Sequence, residues 1–162
     1  MADVVNMVRP GAGTANDARA FVGAALNVFL ADTYVLLAKT QAVHWNAAGP
    51  NFIGLHKLTE AQYGELFQAI DDLAERVRAL RVEAPCGLGQ IIELSTLDAA
   101  VGEVNTHDAA RRLAADNTTL AAHARALAKK AEEAKDIATQ DMLVARVEVH
   151  DKAAWLLRSH LG

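Results

Sequence analysis

The sequence predicts an all-α protein of four long helices, on three observations. Only three of its 162 residues are proline, so long stretches carry no helix breaker. Apolar residues recur at helical spacing through most of the chain. No alternating apolar–polar run bounded by turn residues marks a strand. With 52% hydrophobic residues, one domain with a substantial core is expected. Residues 1–13, punctuated by Pro10-Gly11, read as a flexible N-terminal tail, and 14–162 as the bundle. No internal repeat or low-complexity tract interrupts it.

The first helix is expected to start at Thr14–Asn16, where Thr14 and Asp17 approximate a capping box. It runs to Trp45 with Phe21, Leu26, Phe29, Leu30, Leu37 and Val43 as apolar positions. His44 falls in its last turn, where a helix C-terminus favours a cation or polar donor. Gly49-Pro50 breaks the chain and Pro50 suits the first turn of a second helix. That helix extends to Leu80, with Leu66, Ile70, Leu73, Val77 and Leu80 forming its apolar stripe. A connector follows through Gly89, and Ser95/Thr96 read as the N-cap of a short helix reaching Glu103. The third long helix spans Thr106 to Ala134, with Leu113, Leu120 and Leu127 inward. The fourth spans Thr139 to Leu161, with Met142, Leu143, Val147, Trp155 and Leu156. The long connection from the second to the third implies a crossover in the bundle.

A net charge of -4 argues against a generally basic, nucleic-acid-coated surface. The single Cys86, a buried or loop thiol rather than a nucleophile, cannot form an internal disulfide, which suits a reducing compartment. No apolar run is expected to reach transmembrane length, and Met1–Gly13 lacks the layout of a signal peptide. The expectation is a cytoplasmic protein without membrane partners.

The chemistry concentrates between Thr40 and Arg76, where His44 and His56 accompany Glu60, Glu65, Asp71, Asp72 and Glu75. Imidazole and carboxylate suit Fe(II), Mn(II) or Zn(II), whereas a thiolate site would need more cysteines. At about 100° per residue, His56, Glu60, Asp71 and Glu75 fall within an arc of roughly 100°, centred about 130° from the apolar stripe. The plain alternative is the solvated face of an amphipathic helix. Against it, Gly64, Phe67 and Ala74 share the arc, and Asp71 and Glu75 are like charges one turn apart, which a metal ion would reconcile. His56 and Asp71 are separated by roughly 22 Å along the helix. One subunit therefore cannot bring both pairs to one ion, whereas two copies packed antiparallel about a two-fold axis would form two identical sites.

His44-Trp45-Asn46, Gly49-Pro50-Asn51-Phe52, His56 and Asp71-Asp72-Leu73-Ala74-Glu75-Arg76 together resemble the ferroxidase signature of the Dps family, the mini-ferritins. The resemblance extends more weakly over most of the chain, including Ser95 to Glu103 and Asp151 to Trp155. It implies a ferritin-like four-helix bundle assembled as a homo-oligomeric dodecamer. It makes His44 and His56 iron ligands from one subunit and Asp71 and Glu75 ligands from its two-fold mate. Glu60 stands where the family normally has Asp, one methylene shorter. The implied activity is oxidation of Fe(II) to Fe(III), with hydrogen peroxide preferred over oxygen, and storage of the mineral inside. Trp45 would lie beside the site and intercept radicals, while Asp72 and Arg76 would make supporting ion pairs. Acidic residues such as Glu132, Glu133 and Asp136 could line cation pores; by themselves they read as a solvated loop.

Family members that bind DNA often do so through basic terminal extensions. Here the tail offers Arg9 and its amino group against Asp3, too few phosphate-neutralising groups for tight binding. A nucleoid-associated, DNA-compacting protein is thus the second reading, and a structural bundle whose stripe makes interface salt bridges the third. His107, His123, His150 and His160 are scattered and read as surface or capping residues. The absence of a Glu-x-x-His pair argues against a di-iron site within one bundle.

Overall fold

A computed structural model describes residues 15–100 and 106–160. The tail, the Thr14 cap and Glu103 lie outside the described residues. Among the described residues five helices follow in order: α1 (Ala15–Asn46), α2 (Phe52–Ala79), α3 (Leu88–Leu94), α4 (Thr106–Glu133) and α5 (Ile137–His160). The four long ones form the expected bundle. α1 packs chiefly on α2 and α4, α4 on α5, while α2 and α5 touch only over a short length. Leu26, Leu36, Leu55, Leu73, Leu113, Leu120, Leu143 and Leu157 are all but fully buried between them. Each such side chain contributes about 1.5–3 kcal/mol of burial free energy.

α1 is more apolar than expected. From Asp17 to Asn46 it is long and apolar enough to cross a membrane by length and composition, with a mean hydropathy of 1.7, which corrects the sequence expectation. Its place in the bundle accounts for this, since 61% of the tested stretch is buried inside the protein. Two glycines carry a backbone argument. Gly49, at φ +98, makes the turn between α1 and α2 in the left-handed region. A Cβ on Gly23 would stand 2.5 Å from Val82 Cγ2, so glycine lets α1 approach the segment leaving α2.

The short helix exists but not where Ser95 and Thr96 suggested. α3 ends at Leu94, and residues 95–100 are not helical. The reason is Asp32, a carboxylate fully buried on α1. Ser95 Oγ donates to it at 2.8 Å, the Thr96 N–H at 2.6 Å, Thr96 Oγ1 at 2.9 Å and the Leu97 N–H at 3.2 Å. A hydroxyl beside free backbone N–H groups is what caps a helix, and equally what solvates a buried carboxylate. His123 Nδ1–H on α4 donates to the same group at 3.2 Å. The crossover is thereby tied to α1 and α4.

The acidic cluster before α5 is also corrected. Asp136 is no solvated loop residue; it accepts from the Thr139 N–H at 3.2 Å and the Thr139 hydroxyl at 2.6 Å, capping α5. Arg76 on α2 donates to it as well, at 2.5 Å.

Candidate metal centre

The Gly49 turn folds the end of α1 onto the start of α2, and two histidines meet there. His44 Nδ1–H donates to the His56 carbonyl at 2.9 Å, and His56 Nδ1–H donates to the His44 carbonyl at 3.0 Å. A carbonyl only accepts, so both rings carry their proton on Nδ1. Each Nε2 is left with its lone pair, and neither makes a hydrogen bond among the described residues. The rings stack with centroids 3.8 Å apart and planes 16° from parallel. Tyr63 closes edge-on against His44, and Phe52 lies tilted over His56, each at 5.1 Å. Beneath them Thr59, fully buried, donates to the Leu55 carbonyl at 2.8 Å. A metal-ligating imidazole is oriented by a hydrogen bond at its other nitrogen. Both imidazoles have that arrangement.

Glu60 follows one turn after His56. Lys57 Nζ donates to its Oε2 at 2.7 Å. That hydrogen bond, then the ammonium charge, hold the Glu60 carboxyl below its usual range, with smaller contributions from His44 and His56. Asp71 and Glu75, further along α2, are exposed and make no hydrogen bond or ion pair among the described residues. The structure thus brings His44 and His56 together and leaves Asp71 and Glu75 apart from them. Among the described residues of one chain, no three His, Cys, Asp or Glu side chains converge to hold a metal ion. The aromatic groups around this stripe point outward: Trp45 is 69% exposed and Phe67 70%. A cleft of about 640 Å³ lies between α2 and α5, with Glu65, Asp72, Glu75 and Arg146 among its lining.

Several residues escaped the sequence reading. His150 is neither surface nor capping but fully buried on α5. Its Nδ1–H donates to Asn117 Oδ1 at 2.9 Å, and its Nε2 accepts from Arg146 Nη2 at 3.3 Å. Burial, then the Arg146 charge, push its pKa down to about 3, so it is neutral. Arg146, itself buried, grips Glu65 of α2 through both terminal guanidinium nitrogens, Nη1 and Nη2. The signal was available, because His150 sits in helical register with Leu143, Ala154 and Leu157 on the buried face of α5. Lys57 was marked by an opposite charge three residues on. Arg76 pairs with Asp136, within the subunit. Cys86 is an exposed loop thiol.

Residues 23–162 match the ferritin-like domain. A low temperature-induced protein of Nostoc sp. is 35% identical over 157 residues, covering 96% of this chain and 88% of its own length. The DNA protection during starvation protein of Brevibacillus brevis is 33% identical over 140 residues, covering 86% of this chain and 94% of its own. Among solved structures, Dps from Thermosynechococcus elongatus superposes with a TM-score of 0.88 at 27% identity, covering 93% of this chain and 96% of that one. Five helices in ferritin-like order, the family match over most of the chain and these neighbours make one conclusion: the chain belongs to the Dps family of mini-ferritins within the ferritin-like fold.

Proposed function

We propose that this protein stores and detoxifies iron, oxidising Fe(II) at sites shared between two subunits and depositing Fe(III) mineral inside a hollow dodecamer. One observation carries the reading. His44 and His56 are stacked and locked by reciprocal backbone hydrogen bonds that leave both Nε2 lone pairs available. Among the described residues of its own chain, a pair of imidazoles so prepared is joined by no third His, Cys, Asp or Glu in one metal-holding group. The exposed Asp71 and Glu75 of a two-fold mate supply the further ligands, with α2 packed antiparallel on its copy. The outward Phe67 and the open space beside Gly64 suit that contact.

In the reaction, His44, His56, Asp71 and Glu75 hold Fe(II) with positions open to the oxidant, and Glu60 offers a further carboxylate. Anionic ligands favour Fe(III) over Fe(II). With hydrogen peroxide, two Fe(II) each lose one electron, the O–O bond breaks, and two protons complete two waters. Consuming iron and peroxide together protects DNA without contact to it, which fits the name of the Brevibacillus relative. Oxygen as the oxidant, and direct DNA compaction by a chain of net charge -4, have less behind them. A cytoplasmic setting suits the exposed, unpaired Cys86.

The test is an anaerobic Fe(II) titration followed by a peroxide pulse, on wild type and on Asp71→Ala/Glu75→Ala, with assembly of both checked by light scattering. Fast oxidation in wild type, lost in an intact variant shell, is expected. Equal oxidation in both would reduce the stripe to interface salt bridges.

A further inference from the structure

Gly64 and Phe67 stand one turn apart on the exposed face of α2, and neither suits a helix that faces water. Glycine weakens a helix interior, and Phe67 is 70% exposed. A Cβ at Gly64 would have no described atom within 4 Å, so the position is a notch beside a knob. The iron ligands fix what stands opposite. When two copies of α2 run antiparallel so that His56 faces Glu75 of the partner subunit, Glu60 faces the partner's Asp71. The two-fold axis then passes between Glu65 and Leu66, and Gly64 and Phe67 lie equally far on either side of it. The register set by the ligands therefore places Phe67 of each copy over Gly64 of the other, twice per dimer, as an isologous contact requires. In the same register Ile53, 66% exposed, falls opposite Arg78, whose aliphatic stem can cover it.

We propose that Phe67 and Gly64 form a knob-and-notch pair that locks the antiparallel register of α2 against a second copy of this chain, and so aligns the shared metal ligands. A slip of one helical turn would set Phe67 against Glu60 or Gln68 and would part the imidazoles from the carboxylates. Helix axes approach to about 8–10 Å, depending on the side chains at the contact. A glycine under the phenylalanine permits the short end of that range, where side chains from both helices reach a common ion. The inference rests on the intersubunit metal site proposed above and adds the pair that aligns it.

Three variants of the full chain test it: Gly64→Phe, Phe67→Gly and the exchange Gly64→Phe/Phe67→Gly. Both positions are open in the single subunit, so circular dichroism should report an intact helical fold in each. The exchange keeps the composition of α2, and with it the summed helix propensity, while rebuilding the pair with its roles reversed. Dimer association by analytical ultracentrifugation and anaerobic Fe(II) affinity are measured for all three and for wild type. Each single variant should associate on the order of a hundredfold more weakly, because each substitution enters the interface twice. The exchange should return association and Fe(II) affinity to within about tenfold of wild type. An exchange variant still weaker than that, or single variants that associate as wild type does, overturns the locking pair. Fe(II) oxidation retained by wild type and lost in Asp71→Ala/Glu75→Ala then leaves the metal site standing. Wild-type protein that stays monomeric overturns both.

Discussion

His150 and the His44/His56 pair put the same side chain to opposite uses. Around His150 both ring nitrogens are taken, one by Asn117 and one by Arg146, and the residue is wholly buried. Around His44 and His56 only Nδ1 is taken in each ring, by a backbone carbonyl across the α1–α2 turn. The first arrangement is a cross-brace that joins α2, α4 and α5 through Glu65, Arg146, His150 and Asn117. The second leaves a donor atom over. What separates the structural histidine from the proposed ligands is the unspent nitrogen.

The contrast is broken most severely on the braced side. Glu65→Leu strands the Arg146 guanidinium in the bundle, and should cost about 3–5 kcal/mol of stability in urea unfolding. A loss under 1 kcal/mol would mean that Arg146 finds water or another acceptor. Lowering the pH attacks the same brace from His150. The unfolded chain takes up a proton below about pH 6.5 that the folded chain refuses until about pH 3. Stability from this group is therefore complete above pH 6.5 and should fall by up to about 1.4 kcal/mol per pH unit below it. Asp32 acts lower. Burial alone would raise its pKa, but hydrogen bonds from His123, the Thr96 backbone, Ser95 and the Thr96 hydroxyl bring it below 3.8. Its contribution is thus present above that pH and lost as pH falls through it. Chemical denaturation from pH 7 to 4 reads the His150 slope, and a flat profile would contradict the buried neutral imidazole.

Packing along α1 gives a middle value. Gly23→Ala places a methyl group 2.5 Å from Val82 Cγ2, and about 1–3 kcal/mol should be lost on thermal unfolding. The smallest stability effect belongs to the open side. His56→Ala removes one donor to the His44 carbonyl and keeps the His56 carbonyl for His44, so about 1 kcal/mol is at stake. Metal binding should nevertheless collapse in that variant. A large stability loss with metal binding retained would reverse the roles assigned to the two kinds of histidine.

Helix number and order were legible because the breakers are few and well placed: Gly49-Pro50 separates α1 from α2, and the connector expected through Gly89 gives way to α3 only slightly earlier, at Leu88. The position of α3 was not, because Ser95 and Thr96 offer the same donors to a helix end and to a buried carboxylate. Nothing in the local sequence announces that Asp32 lies opposite. His150 was misread for a related reason. Its register with Leu143 and Leu157 was visible, but the partners that let an imidazole be buried come from Asn117 and Arg146 in tertiary contact. At the candidate centre the residues proposed as ligands and their helix phase could be read from the chain. The reciprocal carbonyl bonds that orient the imidazoles, and the hold of Lys57 on Glu60, required coordinates.

The most direct measurement mixes two defective chains. One carries His44→Ala/His56→Ala, the other Asp71→Ala/Glu75→Ala, and the two are assembled together in equal amounts, with light scattering to confirm the shells. Anaerobic Fe(II) binding is then measured for each alone and for the mixture. A site shared across a two-fold axis pairs intact histidines from one chain with intact carboxylates from the other. Half the dimers are then mixed, each with one intact site, so about one quarter of wild-type capacity should return in the mixture and almost none in either parent. No recovery in well-formed mixed shells would contradict the intersubunit site.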